Sequence, residues 1–357
     1  MPGQRRFLIL AEGNFGPLSS KTANAALRYI PREVAAILDS TSVSTSVQEV
    51  LGFGGTDVPI VATFEEGMKH NPNALLIGIA PSGGQFPVEW RPTVLSALNA
   101  GLDVWSGLHS MLGDDAEFAA AAKANKATIR DLRRAPADLT VSKGRLRDAP
   151  QTIVLTVGMD CNMGKMTTQL QVIEAVRAKG HRVNFAATGQ TGILIEGRGI
   201  GVDAVIADFI GGAAERLTLE ASEGADIVLV EGQGGIMHPS YSGVTLGLLH
   251  GSMPHAMIMC AQPSRTRING AGLEWTKLPS VSEMIKLYEI NAAPLRESPT
   301  IAVAVNTFDL SEQAAQEAIK AIEKETGLPT TDPVRYSPEP IAAAIDQFHR
   351  ARVASRV

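Results

Sequence analysis

The run Ile153-Val154-Leu155-Thr156-Val157, followed at once by Gly158-Met159-Asp160-Cys161-Asn162-Met163-Gly164-Lys165-Met166-Thr167-Thr168, constrains this chain more than any other stretch. A β-branched run that ends in a glycine-bounded loop with a terminal Gly-Lys, and then enters Gln169-Leu170-Gln171-Val172-Ile173-Glu174-Ala175-Val176, reads as strand, phosphate loop and helix. Glycines let the backbone turn tightly and point successive amides inward. The following helix adds its positive N-terminal end, and Lys165 adds a full charge. An anion cradle at the end of a strand is therefore expected. Its candidate positions are Gly158, Asp160, Asn162, Met163, Gly164, Lys165, Thr167 and Thr168. The bland alternative is a glycine-containing turn with a solvated lysine. Two details depart from G-x-x-x-x-G-K-[ST]: five residues separate Gly158 from Gly164, and Met166 stands where a magnesium-binding hydroxyl belongs. A thioether is a poor ligand for a hard cation, so magnesium-dependent γ-phosphate chemistry is weakened unless Thr167 or Thr168 substitutes.

Such a unit needs a sizeable core around it, and 357 residues with 45% hydrophobic content supply one, with length enough for two domains. The 34 glycines and 20 prolines suit many short βα connections. A net charge of −5 gives no basic footprint for nucleic acid. No apolar run reaches membrane-spanning length, and the N-terminal residues lack a signal-peptide pattern. Cys161 and Cys260 are too few for a disulfide framework, which fits a cytoplasmic protein.

In the first half, apolar strand candidates at 6–11, 33–38, 58–62, 74–80, 102–105 and 128–132 alternate with helical stretches at 21–29, 64–70, 91–100 and 114–126. That alternation predicts a Rossmann-like parallel sheet. Gly13 and Gly16 with Lys21-Thr22 fit neither a dinucleotide nor a Walker fingerprint. Pro81-Ser82-Gly83-Gly84 follows a strand at the carboxyl edge, where amides of Ser82, Gly83 and Gly84 could receive a substrate carboxylate. His109 reads as a loop or core histidine. Charge and proline from Arg133 to Pro150 mark a boundary, so the expected domains are 1–149, Rossmann-like, and 150–357, a P-loop NTPase-like α/β domain.

In the second half the strand 182–187 leads to Thr188-Gly189-Gln190-Thr191-Gly192, and a glycine-rich segment from Glu196 through Gly201 could form a switch-like loop over the ligand. A helix near 208–223 precedes the strand 226–230, which ends in Glu231-Gly232-Gln233-Gly234-Gly235. An acidic residue there is placed to hold magnesium or a water, and His238 adds an imidazole near the same edge. His250 and His255 are weaker candidates. Arg265 and Arg267, after the strand 256–261, could bind a dicarboxylate in bidentate fashion or a nucleotide phosphate. Helices at 280–290 and 312–325 flank the strand 300–305. Its end, Asn306-Thr307-Phe308-Asp309, looks like an Asn-Lys-x-Asp base-reading loop with threonine for lysine, so Asn306 could pair with an adenine edge.

The enlarged loop opening Gly158-x-Asp160 resembles the dethiobiotin synthetase-like branch of P-loop proteins. Taken with Glu231-Gly232-Gln233-Gly234-Gly235, His238-Pro239, the Thr331-Asp332-Pro333 tail and the Rossmann-like first half, the chain resembles a bacterial P-loop family. That family includes the D-glutamate N-acetyltransferases of D-amino-acid catabolism, and the resemblance covers nearly the whole chain. It implies transfer of an acetyl group from acetyl-CoA, as co-substrate, to the amine of D-glutamate. The coenzyme A phosphates would lie in the cradle, and Arg265 and Arg267 would hold the substrate carboxylates with Ser82, Gly83 and Gly84. Glu231 or His238 would act as the base, and amides near Gly234-Gly235 would face the oxyanion. Cys161 could carry the acetyl group in a ping-pong route, although a lone loop thiol is more often a bystander.

Two rivals stay open: an ATP- and magnesium-dependent ligase or kinase of the dethiobiotin synthetase type, and a nucleotide-sensing binding protein. A dehydrogenase lacks its complete Gly-x-Gly-x-x-Gly after the first strand. The expected partners are an amino acid and coenzyme A, with no nucleic acid and no membrane, and a homo-oligomer is the base-rate expectation for such a fold.

Overall fold

The computed structural model describes residues 5–17, 19–43, 45–53, 57–79, 84–270, 272–273 and 275–356. It divides into two compact units, residues 1–134 with 193–204, and residues 135–192 with 205–357. Among the described residues no helix is long and apolar enough to cross a membrane.

Six parallel strands build the first unit: β1 (Phe7–Leu10), β2 (Val34–Leu38), β3 (Ile60–Val61), β4 (Ala74–Ile77), β5 (Asp103–Ser106) and β6 (Ile129–Asp131). Helices α1 (Lys21–Tyr29), α2 (Val47–Leu51), α3 (Phe64–Met68), α4 (Arg91–Asn99) and α5 (Ala116–Ala124) connect them. The order β3-β2-β1-β4-β5-β6 is that of a dinucleotide-binding fold, and its reversal at β1 sends right-handed crossovers to both faces. β1, β2 and β4 are buried at every position, as continuous apolar runs in a doubly covered sheet must be. Leu194, far along the chain, is fully buried in the same core, and Arg133 pairs with Asp203. The stretch expected to form a switch-like loop thus packs within the first unit. Helix α2 matches no expected element; a capping box between Ser46 and Glu49 stabilises its single turn and a half.

The second unit carries β7 (Thr152–Gly158), β8 (Val183–Ala186), β9 (Ile227–Val230), β10 (Ala256–Ala261), β11 (Thr300–Val305) and β12 (Thr330–Thr331). These also pair in parallel, in the order β12-β11-β10-β7-β9-β8. Its helices are α6 (Lys165–Ala178), α7 (Gln190–Glu196, running into the first unit), α8 (Ile210–Ser222), α9 (Ser242–Ser252), α10 (Val281–Ala292), α11 (Glu312–Thr326) and α12 (Glu339–Ala354). Helix α11 shows why a sequence becomes a helix here. Ser311 caps its start, Ala315, Ile319 and Ile322 make one buried stripe, and Gly327 ends it in the left-handed conformation. Residues 140–149 join this unit through Glu215, whose buried carboxylate accepts from the amides of Lys143 and Arg145.

Helix α9 also has no counterpart in the sequence reading, because its glycines look like punctuation. A Cβ on Gly251 would lie 2.2 Å from the Gly211 carbonyl, and one on Gly247 2.6 Å from Ile210. These glycines lie one turn apart and let α8 and α9 approach closely. The residues that suggested a loop are packing residues.

Candidate active site at the carboxyl edge of the second sheet

Strand register brings five loops to one edge. Gly158 pairs with Cys260, Ala261 with Val305, and Val230 with both Leu155 and Ala186. The loops after β7, β8, β9, β10 and β11 therefore leave the same edge, those after β8 and β9 three residues before that after β7, at the side where open α/β sheets bind ligands.

Within the phosphate loop, Asn162 and Gly164 have φ of 58° and 97°, a pair of left-handed turns that curls the backbone before α6. Gly164 gives α6 no side-chain cap and no acidic residue lies in its first turn, an N-terminus suited to an anion. Met163 is buried and pins the loop. Met166 occupies that first turn, Thr167 is half-buried, and Thr168 is buried, accepting from the Cys260 thiol at 3.6 Å. The hydroxyl of Thr168 is thus turned to the interior rather than toward a metal-bound phosphate.

Lys165 is 7% exposed, and its ammonium donates to the carbonyls of Asp160 at 2.8 Å and Gly234 at 2.7 Å. Burial pushes its pKa down, opposed by Cys161, Cys260, Asp160 and Glu231. The lysine ties the loop after β9 to the loop after β7.

Asp160 is fully buried. One of its oxygens accepts from the Cys161 amide at 2.7 Å, and the other accepts from the Asn269 amide at 2.8 Å and from Arg265 at 3.2 Å. Arg265 also donates to the Cys161 carbonyl at 2.7 Å and to Gln262 at 2.7 Å. Two residues expected at the ligand, Asp160 and Arg265, are thus bonded to each other and to the loop they shape. Arg267 is exposed, its backbone bridging to Lys277.

Glu231 is buried at the end of β9, and one of its oxygens accepts from the amides of Thr188 at 2.9 Å and Gly189 at 3.1 Å. A Cβ on Gly192 would lie 2.5 Å from that oxygen, so the glycines of the 188–192 loop give the carboxylate its seat. His238 is buried too. Its Nδ1 accepts from the Ser240 amide at 3.1 Å, and its ring lies against Tyr241 with centroids 4.4 Å apart. In the neutral imidazole that hydrogen bond assigns the proton to Nε2, which can then donate. Asp160, Cys161 and His238 each bring one side-chain atom within 4.8 Å of the others. Two cations, Lys165 and Arg265, and the amides already on Asp160 make this cluster a poor seat for a metal ion.

The remaining expected residues lie elsewhere. Asn306 is half-buried beside this edge and accepts weakly from the Phe308 amide at 3.4 Å. Asp309, its base-reading companion in the motif, accepts from Gln262 and Ser264. Ser82 and Gly83 fall outside the described residues. Gly84 belongs to the first unit, where its carbonyl accepts from the amides of His109 and Ser110. In that unit, after β1, the amides of Gly13 and Phe15 donate to the buried Asp39 carboxylate. His255 sits at the opposite end of the second sheet, where burial and then Arg296, Arg352 and Arg356 push its pKa down to about 2. His250 bonds to the Asn291 carbonyl.

Sequence reasoning missed Tyr288. It is fully buried on α10, donates to the Gly158 carbonyl at 2.8 Å and accepts from the Ile236 amide at 3.1 Å. Burial raises its pKa. Its hydroxyl joins the first residue of the phosphate loop to the loop that carries His238. Only its place in a run of helical core residues was visible, and that pattern carries no signal for a polar tip. Replacing Tyr288 with Phe orphans both backbone groups. We expect a loss of about 1–3 kcal/mol in unfolding free energy, read by denaturant titration.

A model of the Domain of unknown function (DUF1611_C) P-loop domain matches residues 140–342, and one of the DUF1611_N Rossmann-like domain matches residues 40–135. The chain is 39% identical over 279 residues to a D-glutamate N-acetyltransferase of Tritonibacter scottomollicae, covering 77% of this chain and 81% of that one. It is 37% identical over 280 residues to a D-glutamate N-acetyltransferase of a Pseudoalteromonas species, covering 78% and 82%. The solved structure of a DUF1611 family protein from Anabaena variabilis superposes with a TM-score of 0.90 at 36% identity, over 96% of this chain and 99% of that one.

Proposed function

Because the chain belongs to the DUF1611 family, we propose that it is a D-glutamate N-acetyltransferase that takes its acetyl group from acetyl-CoA. The observation that carries this reading is the similarity to two D-glutamate N-acetyltransferases across about four-fifths of each. The chemistry of the edge is compatible. Coenzyme A presents a pyrophosphate and a 3′-phosphate, which loop amides, the N-terminus of α6 and Lys165 can hold without a metal-binding hydroxyl. Met166 is no defect in such a site.

Only the free amine of D-glutamate attacks a thioester, so a base must take the ammonium proton. Glu231, whose carboxylate is held at the end of β9 by two amides, is assigned that role. His238, with its proton on Nε2, donates to the oxyanion that forms on the acetyl carbonyl. Arg267 is the exposed guanidinium at this edge for a substrate carboxylate, while Arg265 positions the loop. The test follows thiol release from acetyl-CoA with a chromogenic reagent, D- and L-glutamate side by side, without ATP or magnesium. Release is expected with the D-isomer alone. No release with either isomer would remove the proposed substrate.

A further inference from the structure

Cys161 is not the isolated loop thiol that its sequence position suggests. Its backbone is held on both sides, the amide donating to Asp160 and the carbonyl accepting from Arg265. Its side chain is half-exposed, while Cys260 is fully buried, its thiol pushed up to about 11 by burial. Its sulfur lies within 4.8 Å of an imidazole nitrogen of His238 and of an Asp160 oxygen. The Lys165 ammonium donates at 2.8 Å to the Asp160 carbonyl, in the peptide unit that leads into Cys161. The N-terminus of α6 begins four residues on. The Asp160 carboxylate opposes a thiolate here, but it already accepts from the Arg265 guanidinium and two amides. A half-exposed thiol beside an ammonium, an imidazole donor and a helix N-terminus has the surroundings of a nucleophile.

We propose that Cys161 carries the acetyl group as a thioester between acetyl-CoA and the amine acceptor. This rests on the acetyltransferase reading and adds a covalent step to it. In the first half-reaction the Cys161 thiolate attacks the acetyl carbonyl. The bond from that carbon to Cys161 sulfur forms, its bond to coenzyme A sulfur breaks, and coenzyme A leaves as a thiolate. In the second, the free amine attacks the Cys161 thioester. The C–N bond forms, the C–S bond breaks, and the Cys161 thiolate returns. The proton lost from the amine nitrogen balances the one that the coenzyme A thiolate takes up. His238 donates to the carbonyl oxygen in both halves, and no other reactant is needed.

The decisive measurement is exchange of isotopically labelled coenzyme A into acetyl-CoA by the full chain with no amino acid present, beside thiol release with D-glutamate. Exchange at a rate matching turnover is expected, with one acetyl group on the tryptic peptide that contains Cys161 and none on that of Cys260. Cys161→Ala should abolish exchange and lower D-glutamate turnover about a hundredfold or more, with the unfolding midpoint unchanged. D-glutamate turnover without exchange would overturn the thioester and leave direct transfer. Absence of both turnover and exchange would overturn the acetyltransferase reading itself.

Discussion

Lys165→Ala is expected to raise the KM for acetyl-CoA by about ten- to a hundredfold, the equivalent of losing one charge-assisted hydrogen bond worth about 1.5–3 kcal/mol. The same substitution removes the ammonium that joins the Asp160 carbonyl to that of Gly234, so the loops after β7 and β9 lose one of their ties. Measured KM values for acetyl-CoA and for D-glutamate separate the two consequences. A cradle residue moves the first far more than the second, whereas general loosening of the edge moves both. An unchanged KM for acetyl-CoA would take Lys165 out of the cradle.

Gly232→Ala should be among the most damaging single-methyl additions in the chain. The added carbon would lie 1.7 Å from the Thr156 carbonyl oxygen and 2.8 Å from its carbon. Both atoms are backbone of the central strand, so no side chain can rotate away. The Gly232 amide also donates to the Thr156 hydroxyl at 3.0 Å, which locks the two segments together. Overpacking against a rigid strand costs about 3 kcal/mol, or roughly 6–12 °C in the melting temperature of a domain this size. Gly224 is the comparison: it has φ of 68° with nothing within 4 Å of an added Cβ. Gly224→Ala should cost only the left-handed backbone penalty of about 1 kcal/mol. Equal melting temperatures for the two variants would contradict the close approach at Gly232.

The contrast between these glycines shows what could be read in advance. Gly158 and Gly164 announced themselves because they bound a loop that runs into a lysine between a β-branched run and a helix, a local pattern with a local cause. Gly247 and Gly251 were misleading, since the same residue type is a turn signal in one context and a contact surface in another. Arg265 was readable as a guanidinium at a strand end, but not as the partner of Asp160, which lies 105 residues away. Tyr288 and Gly158 are separated by 130 residues, and neither position hints at the other. Glu231 and His238 were nameable because they follow a buried strand that must end at the carboxyl edge.

The sequence by itself determined that two parallel α/β units would form, because hydrophobic runs of strand length alternating with helical stretches have no other way to bury both faces of a sheet. It also placed the phosphate loop at a strand end, since that motif is contiguous. Tertiary structure alone decided which polar groups at this edge are spent on one another. Asp160 with Arg265, Lys165 with the Gly234 carbonyl, and Glu231 with two amides are long-range pairings set by strand order and register. It alone also brought His238 beside Cys161, because a charge or thiol takes its character from neighbours that the chain delivers from distant positions.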